Sequence, residues 1–343
     1  MFSETSLLAL AAIGLGAAVV ILFAGLRMTG LADRIADRTG FGEAVVGGVF
    51  LGAATSISGT IVSLTAALDG RASLAFSNGI GGIAAQTAFL AIADMLHRQA
   101  NLEHAAAELA NVFQCGVLLL LLTVPLAAYA APEVAVFGVH PASVVLVAVY
   151  IMGVVASSRL RKSPMWKPVD TRETRADTPD EGDTPDKPAR WLIARFVGLM
   201  LVLGTAGFFV AQVGAAVTDR LGLSASLVGA LMTAVITSLP ELVTTIAAVR
   251  RGALQLAVGG IIGGNTFDTL FLTIADIGYR DGSVYHAIGR SDLFWLGTGM
   301  LMTAVLMLGL LYREKQGPAG IGRESVTLLG IYFGAVAIQA ISG

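Results

Sequence analysis

The sequence predicts an all-α polytopic membrane protein: ten transmembrane helices in two inverted five-helix repeats, with broken helices around a cluster of polar residues. Three observations predict it. The chain is too apolar for a water-soluble domain, its apolar runs fall into two sets of five, and a 41-residue stretch recurs 182 residues later.

Of the 343 residues 55% are hydrophobic and only 13% charged, with a mean hydropathy of +0.77; a soluble domain carries about 25% charged residues. The net charge of −2 and pI near 6.1 give no basic field for nucleic acid, and the basic residues sit between apolar runs instead of forming a patch. Nucleic-acid binding is excluded. The single cysteine, Cys115, rules out an intrachain disulfide and a thiolate metal cluster. The first apolar run, Leu7 to Leu26, reads as a membrane span and not as a signal peptide. Glu4 stands where a basic segment belongs, the run exceeds the usual ~7–15 residues, and no small-residue cleavage site follows.

Windows of about 20 apolar residues, enough to cross a ~30 Å hydrocarbon core, fall near 5–26, 42–68, 72–95, 105–130 and 141–158. After a polar stretch come 191–216, 224–249, 254–277, 291–312 and 324–341. Hydrocarbon cannot satisfy free backbone groups, so these Ala-, Gly-, Leu- and Val-rich runs are helices; the short alternating segments of a β-barrel are absent. The 41 glycines are read first as points of close helix packing. The units are 1–158, a first five-helix repeat; 159–190, a linker; and 191–343, a second repeat.

Loop charge sets the orientation. Arg27, Arg34 and Arg38 follow span one, Arg250 and Arg251 follow span seven, and Arg313, Lys315 and Arg323 follow span nine. These loops are expected in the cytoplasm, together with the linker, which holds eight Lys or Arg residues from Arg159 to Arg190. Both termini then lie outside, in a multi-pass protein of the plasma (cell inner) membrane. Residues 163–190 mix Pro, Asp, Glu, Thr and Arg without apolar periodicity and read as a disordered connector. Its acids Asp177, Asp180, Glu181, Asp183 and Asp186 read as a solvated charge run and not as a calcium sensor.

Thr55–Met95 aligns on Thr237–Ile277 without a gap and with 15 identities, including Thr55/Thr237, Ser56/Ser238, Gly81-Gly82/Gly263-Gly264 and the closing Ile-Ala-Asp. A repeat of this kind is a fold-level signal. Five spans per half, joined by one cytoplasmic linker, make the copies run in opposite directions. Inverted repeats with interrupted helices are an architecture of secondary transporters, whose ion site lies where the copies meet.

Thr237-Ser238-Leu239-Pro240-Glu241 puts a proline and a carboxylate inside span seven. Pro240 offers no N–H to the Ile236 carbonyl, and Glu241 must be paired or face a polar cavity. Gly263-Gly264-Asn265-Thr266-Phe267-Asp268 on span eight adds paired glycines and a second acid. Ideal helices rising ~1.5 Å per residue would leave Glu241 and Asp268 roughly 9 Å apart in depth, so the helices must bend to bring them together. In copy one Ser58-Gly59 replaces Pro240-Glu241 and Gln86 replaces Asp268, which leaves Thr55, Ser56 and Gln86 as neutral donors. Pro240, Gly59, Gly263 and Gly264 are the expected helix breaks. Asn78 and Asn265 read equally as cavity lining or interhelical bonds. Glu108, Asn111 and Gln114 form a polar stripe on span four, more simply an interhelical or snorkelling face than an exit path. His97, His104, His140 and His286 lack metal-ligand spacing.

Thr-Ser-Leu-Pro-Glu at 237–241 followed by Gly-Gly-Asn-Thr-Phe-Asp at 263–268 resembles the second α-repeat of the sodium/calcium exchanger superfamily, and the ten-span plan with its central linker is similar too. The resemblance implies a cation antiporter, not an enzyme, with no cofactor. It carries Ca2+, Na+ or H+ as transported ions, Glu241 and Asp268 as metal ligands, and Thr237 and Ser238 as further oxygen donors matched in copy one by Thr55 and Ser56. Copy one departs from the family, which carries its own Pro-Glu there and an Asn or Asp at Gln86; Gly82 and Gly264 stand where the family often has serine. Competing readings are a monovalent cation/proton antiporter on the same fold, a non-transporting scaffold with a degenerate site, and an aspartyl enzyme built on Asp94 and Asp276. Inversion puts that last pair near opposite faces, where they cannot share a proton.

Overall fold

The structure, a computed structural model, describes residues 2, 5–39, 54–97, 100–169, 171, 189–317 and 321–342. These are helical apart from turns, loops and one isolated bridge between Val136 and Val139. The first half holds α1 (Leu7–Thr39), α2 (Ile57–Leu68), α3 (Ala72–Leu96), the short α4 (Leu102–Ala105), α5 (Leu109–Ala130) and α6 (Pro141–Lys162). The second holds α7 (Ala189–Leu221), α8 (Ala225–Thr237, with a π-helical turn over Val228–Thr233), α9 (Leu239–Arg251), α10 (Leu254–Asp268), α11 (Leu270–Gly278), α12 (Arg290–Tyr312) and α13 (Arg323–Ser342).

Among the described residues, eight helical stretches are long and apolar enough to cross a membrane, counting α10 and α11 as one, and the bent pair α8–α9 makes nine. The tenth expected span, 42–68, is represented by the apolar α2; its residues 42–53 lie outside the described residues, as do linker residues 170 and 172–188.

The two halves keep one register. α1 and α7 begin at 7 and 189, α2 and α9 at 57 and 239, α3 and α10 at 72 and 254, and α6 and α13 at 141 and 323, each pair 182 residues apart. Gly70 and Gly252, another such pair, make the turns after α2 and α9 at φ +71° and +83°, a region open to glycine at no steric cost.

α3 forms the centre: 83% of its apolar window is buried, against 28–39% for α1, α5, α6, α7 and α13. Its Phe76, Ile80 and Ile83 pack in one cluster with Tyr285 and Trp295, while Leu8, Leu15, Val144 and Leu201 face outward. In lipid, apolar helices gain little from burying against each other, so association leans on close packing of small residues. Two such contacts hold the long outer helices against the centre. A side chain at Gly25 of α1 would collide with Pro240, and one at Gly207 of α7 with Ser58. Gly25/Gly207 and Ser58/Pro240 are again 182 apart.

Polar clamps tie the ends in the same crossed fashion. Asp94, at the end of α3, accepts from the backbone N–H of Leu102 (2.7 Å) and of Gly322 (3.1 Å), just ahead of α13. Its counterpart Asp276 on α11 accepts from the N–H of His140 (2.7 Å), just ahead of α6, and from Ser143 Oγ (2.7 Å). The two acids serve different helix starts and form no dyad.

Glu103 on α4, between spans α3 and α5, is 1% exposed. Ser325 Oγ donates to its Oε1 at 3.4 Å, and the missing side chain of Gly309 makes room for it beside Glu324. Burial foremost, then the carboxylates of Asp94 and Glu324, push its carboxyl up to about 8 from 4.5. A folded-state value above the unfolded one favours the fold fully below the unfolded value, and that contribution is lost as pH rises through about 8. Glu103→Gln, uncharged and of the same shape, should melt at a higher temperature than the wild type near pH 9 and show a flatter pH dependence from about pH 6 upward. Thermal melts of the purified protein across that range check it.

Candidate cation site

α8 ends at Thr237 and α9 starts at Leu239, leaving Ser238 outside the helix at φ −94°, ψ 4°. Pro240 occupies the first turn of α9, where its missing N–H costs no intrahelical bond, and the two helices meet at 48°. This is the break expected at Pro240. In copy one the break falls at Ser56 (φ −85°, ψ 3°), the counterpart of Ser238, and not at Gly59, which lies inside the first turn of α2. Gly59 serves close approach instead: a Cβ there would come within 2.6 Å of the Phe271 ring.

The breaks expected at Gly263 and Gly264 are also absent. α10 runs through both, and the interruption before α11 is at Thr269. Neither glycine removes a backbone donor, so the helical ladder continues. Gly264 gives space to Gln86, whose Oε1 would stand 3.3 Å from an added Cβ, while an added Cβ at Gly263 meets nothing within 4 Å.

The breaks bring the expected polar residues together. Ser56 Oγ donates to Asp268 Oδ1 at 2.6 Å, and Gln86 Nε2 donates to Asp268 Oδ2 at 2.7 Å and to Ser238 Oγ at 3.2 Å. Thr55 hydrogen-bonds Glu241, which lies within electrostatic reach of Asp268. Thr237 is present but turned away: its hydroxyl bonds the Thr233 and Ala234 carbonyls of its own helix at 3.0 and 3.1 Å, the local bonding open to any helical threonine. Asn78 is an interhelical tie, donating to the Gly59 carbonyl and Ser63 Oγ and accepting from Thr233 Oγ1. Asn265 donates to Thr87 Oγ1 at 3.0 Å.

These contacts come in crossed pairs. Ser56 meets Asp268 as Gln86 meets Ser238; Thr55 meets Glu241 as the Cβ position of Gly59 lies 3.6 Å from Thr237 Oγ1; the Cβ position of Gly82 lies 3.6 Å from Asp268 Oδ2 as that of Gly264 approaches Gln86. A contact from i to the copy of j, matched by one from j to the copy of i, is the signature of a two-fold interface. Gln86–Asp268 is the contact of a position with its own copy.

The donor set fits a cation. Glu241 is 7% exposed and Asp268 2%, and neither has an ion-pair partner among the described residues. Glu241 Oε2, Gln86 Oε1 and Asn265 Oδ1 are buried without a hydrogen-bond partner, where an unmet polar atom costs about 1–3 kcal/mol. No group of three or more His, Cys, Asp or Glu side chains converges among the described residues, so a cation here would rest on two carboxylates plus neutral oxygens. Phe271, which fills the space beside Gly59, escaped the reading of polar residues alone; its sequence signal is its pairing with Phe89 in the repeat.

Residues 8–159 and 191–341 match the sequence profile described as sodium/calcium exchanger protein. The chain belongs to that family. Its members are transporters and not enzymes. Among solved structures, the sodium-calcium exchanger NCX_Mj soaked with 2.5 mM Na+ and 0.1 mM Sr2+ is 17% identical, covers 97% of this chain and 99% of its own, and gives a TM-score of 0.61. The same exchanger soaked with 2.5 mM Na+ and 0.1 mM Ca2+ is 18% identical over 95% of this chain and 96% of its own, with a TM-score of 0.58. These likenesses concern the fold. Among curated proteins, the inner membrane protein YrbG of Escherichia coli (strain K12) is 27% identical over 154 residues, so the match spans 44% of either chain. The family's membrane setting and helical fold agree with the expectation from sequence.

Two glycine substitutions separate packing from helix breaking. Gly59→Ala should destabilise the protein by about 1–3 kcal/mol through collision with Phe271. Gly263→Ala should be neutral or stabilising by about 0.5–1 kcal/mol, as for a mid-helix glycine with free space. Melting of the two variants beside the wild type checks both.

Proposed function

We propose that this family member is a secondary active antiporter exchanging Ca2+, or a related cation, for Na+ or H+ by alternating access at a site made by Glu241 and Asp268. Ser56, Ser238, Thr55 and Gln86 supply neutral oxygens, with Thr237 contributing through its backbone. The observation that carries the reading is the pair of buried carboxylates without a basic partner among the described residues, one of them with an unbonded oxygen. An acid at the centre of a membrane helix costs about 2.5–3.5 kcal/mol on insertion scales and is retained where it has work to do. Calcium takes six to eight oxygens, a number within reach of two carboxylates with the surrounding hydroxyls, amide and freed carbonyls.

In this reading residues 1–158 and 191–343 are inverted five-helix repeats completing ten spans, and 159–190 is the cytoplasmic linker, leaving both termini outside the inner membrane. The common 182-residue register and the crossed contacts support the inversion. A second reading, monovalent cation/proton antiport, is favoured by the neutral first copy, where Gly59 and Gln86 replace acids. With at most two negative charges, the site balances one divalent ion or two monovalent ones.

Calcium flux in proteoliposomes tests the proposal. Uptake driven by a sodium gradient at fixed pH, set against uptake driven by a pH gradient without sodium, assigns the coupling ion. Glu241→Gln should abolish ion-dependent flux in a folded protein; undiminished flux would remove Glu241 from the mechanism. Reversal potentials should give about two monovalent ions per divalent ion, and a ratio near three would contradict the charge count.

A further inference from the structure

The polar stripe on α5 has a partner face. A cavity of about 30 Å³ lies in the seam between α5, α6 and α10, lined by Gln114, Tyr150, Ser157, Arg161, Gly263 and Thr266 among others. About 10–15 Å³ holds one water, so the space fits a water molecule or two and excludes a hydrated cation.

All three helices contribute small or polar groups to this seam. At the end of α6 that leads into the linker, Arg161 pairs with Glu108 at 3.7 Å, and the space beside Gly259 is shared by Arg161 Nη2 and Asn111 Oδ1. Asn111 is fully buried and its Oδ1 has no partner. A turn or so deeper come Gln114, whose Oε1 is also unpartnered, Ser157, and Gly263, whose missing side chain leaves open space. Deeper still, Val117 closes against Gly153, where an added Cβ would meet Val117 Cγ1 at 2.5 Å. Beyond lies Tyr150, edge-on to Phe267 and within electrostatic reach of Asp268. A buried oxygen acceptor without a protein donor, beside a cavity of water size, is the setting in which ordered water resides.

We infer that this seam is a narrow aqueous path from the linker end of the bundle to Asp268, carrying water but not hydrated cations, with Val117 against Gly153 as its constriction. It rests on Asp268 as a site carboxylate and adds a route that the family assignment does not supply. Gln114 and Ser157 are positioning residues, acting through the water they hold.

Pulsed hydroxyl-radical labelling tests it, because radicals formed from water mark side chains that water reaches. The whole protein in lipid nanodiscs, without added ion, should be labelled at Tyr150 and Val117. Ser157→Val, which fills the cavity, and Gln114→Leu, which keeps volume but removes its oxygen, should each lose the Tyr150 label. Both should keep the rise in melting temperature that calcium alone produces in the wild type. Absence of label at Tyr150 in the wild type, or label undiminished in both variants, overturns the path. A wild type labelled at Tyr150 but showing no calcium-dependent rise leaves the water path standing and overturns its link to a cation site. Should one variant fail to fold, the other decides, since they act from different helices.

Discussion

A carboxylate placed in the middle of an apolar bundle must find either donors or a cation, and the rest of this structure is arranged around that requirement at Asp268. Its two oxygens are met by Ser56 and Gln86, both from the half of the chain that carries no acid at the site. Those donors reach it only because Ser56 sits at an interruption of the helix and because Gly82 and Gly264 leave room around the amide and the carboxylate. Glu241, within electrostatic reach of Asp268, is satisfied on one side only. Under the proposed function, the protein meets the demand of one acid and leaves that of the other to a ligand.

The crossed contacts explain why the long outer helices, the end clamps and the site share one symmetry. Gly25 at Pro240 and Gly207 at Ser58 let α1 and α7 pass over the two interruptions. Asp94 and Asp276 each hold the residue just ahead of the last helix of the other half. Chemistry then departs from symmetry at two positions: Gly59 against Glu241 and Gln86 against Asp268. At the first, the space that a second Glu would use is taken by Phe271, so the loss of charge in copy one is built into the packing and is not a bare vacancy.

The apolar runs, the repeat and the two acids were legible in the sequence because each depends on residue type at a fixed spacing. The breaks were legible only where a covalent feature enforces them: Pro240 cannot donate, whereas Gly59, Gly263 and Gly264 merely permit a break that helix packing did not take up. Thr237 shows the same limit, since whether a hydroxyl faces the site or its own helix is decided by a rotamer and not by the sequence. Glu103 went unread because its burial comes from packing beside Glu324, brought close by the absent side chain of Gly309. Tyr150 and Gln114 likewise gain meaning only from the cavity between three helices.

Equilibrium binding of radioactive calcium to the purified protein tests the central claim most directly, because it asks whether Glu241 and Asp268 form one cation site, independent of coupling and direction. Saturable binding that is retained in Glu103→Gln and lost in both Glu241→Gln and Asp268→Asn is the predicted result. Binding that survives the loss of either site acid, or its absence from the wild type, would contradict the account.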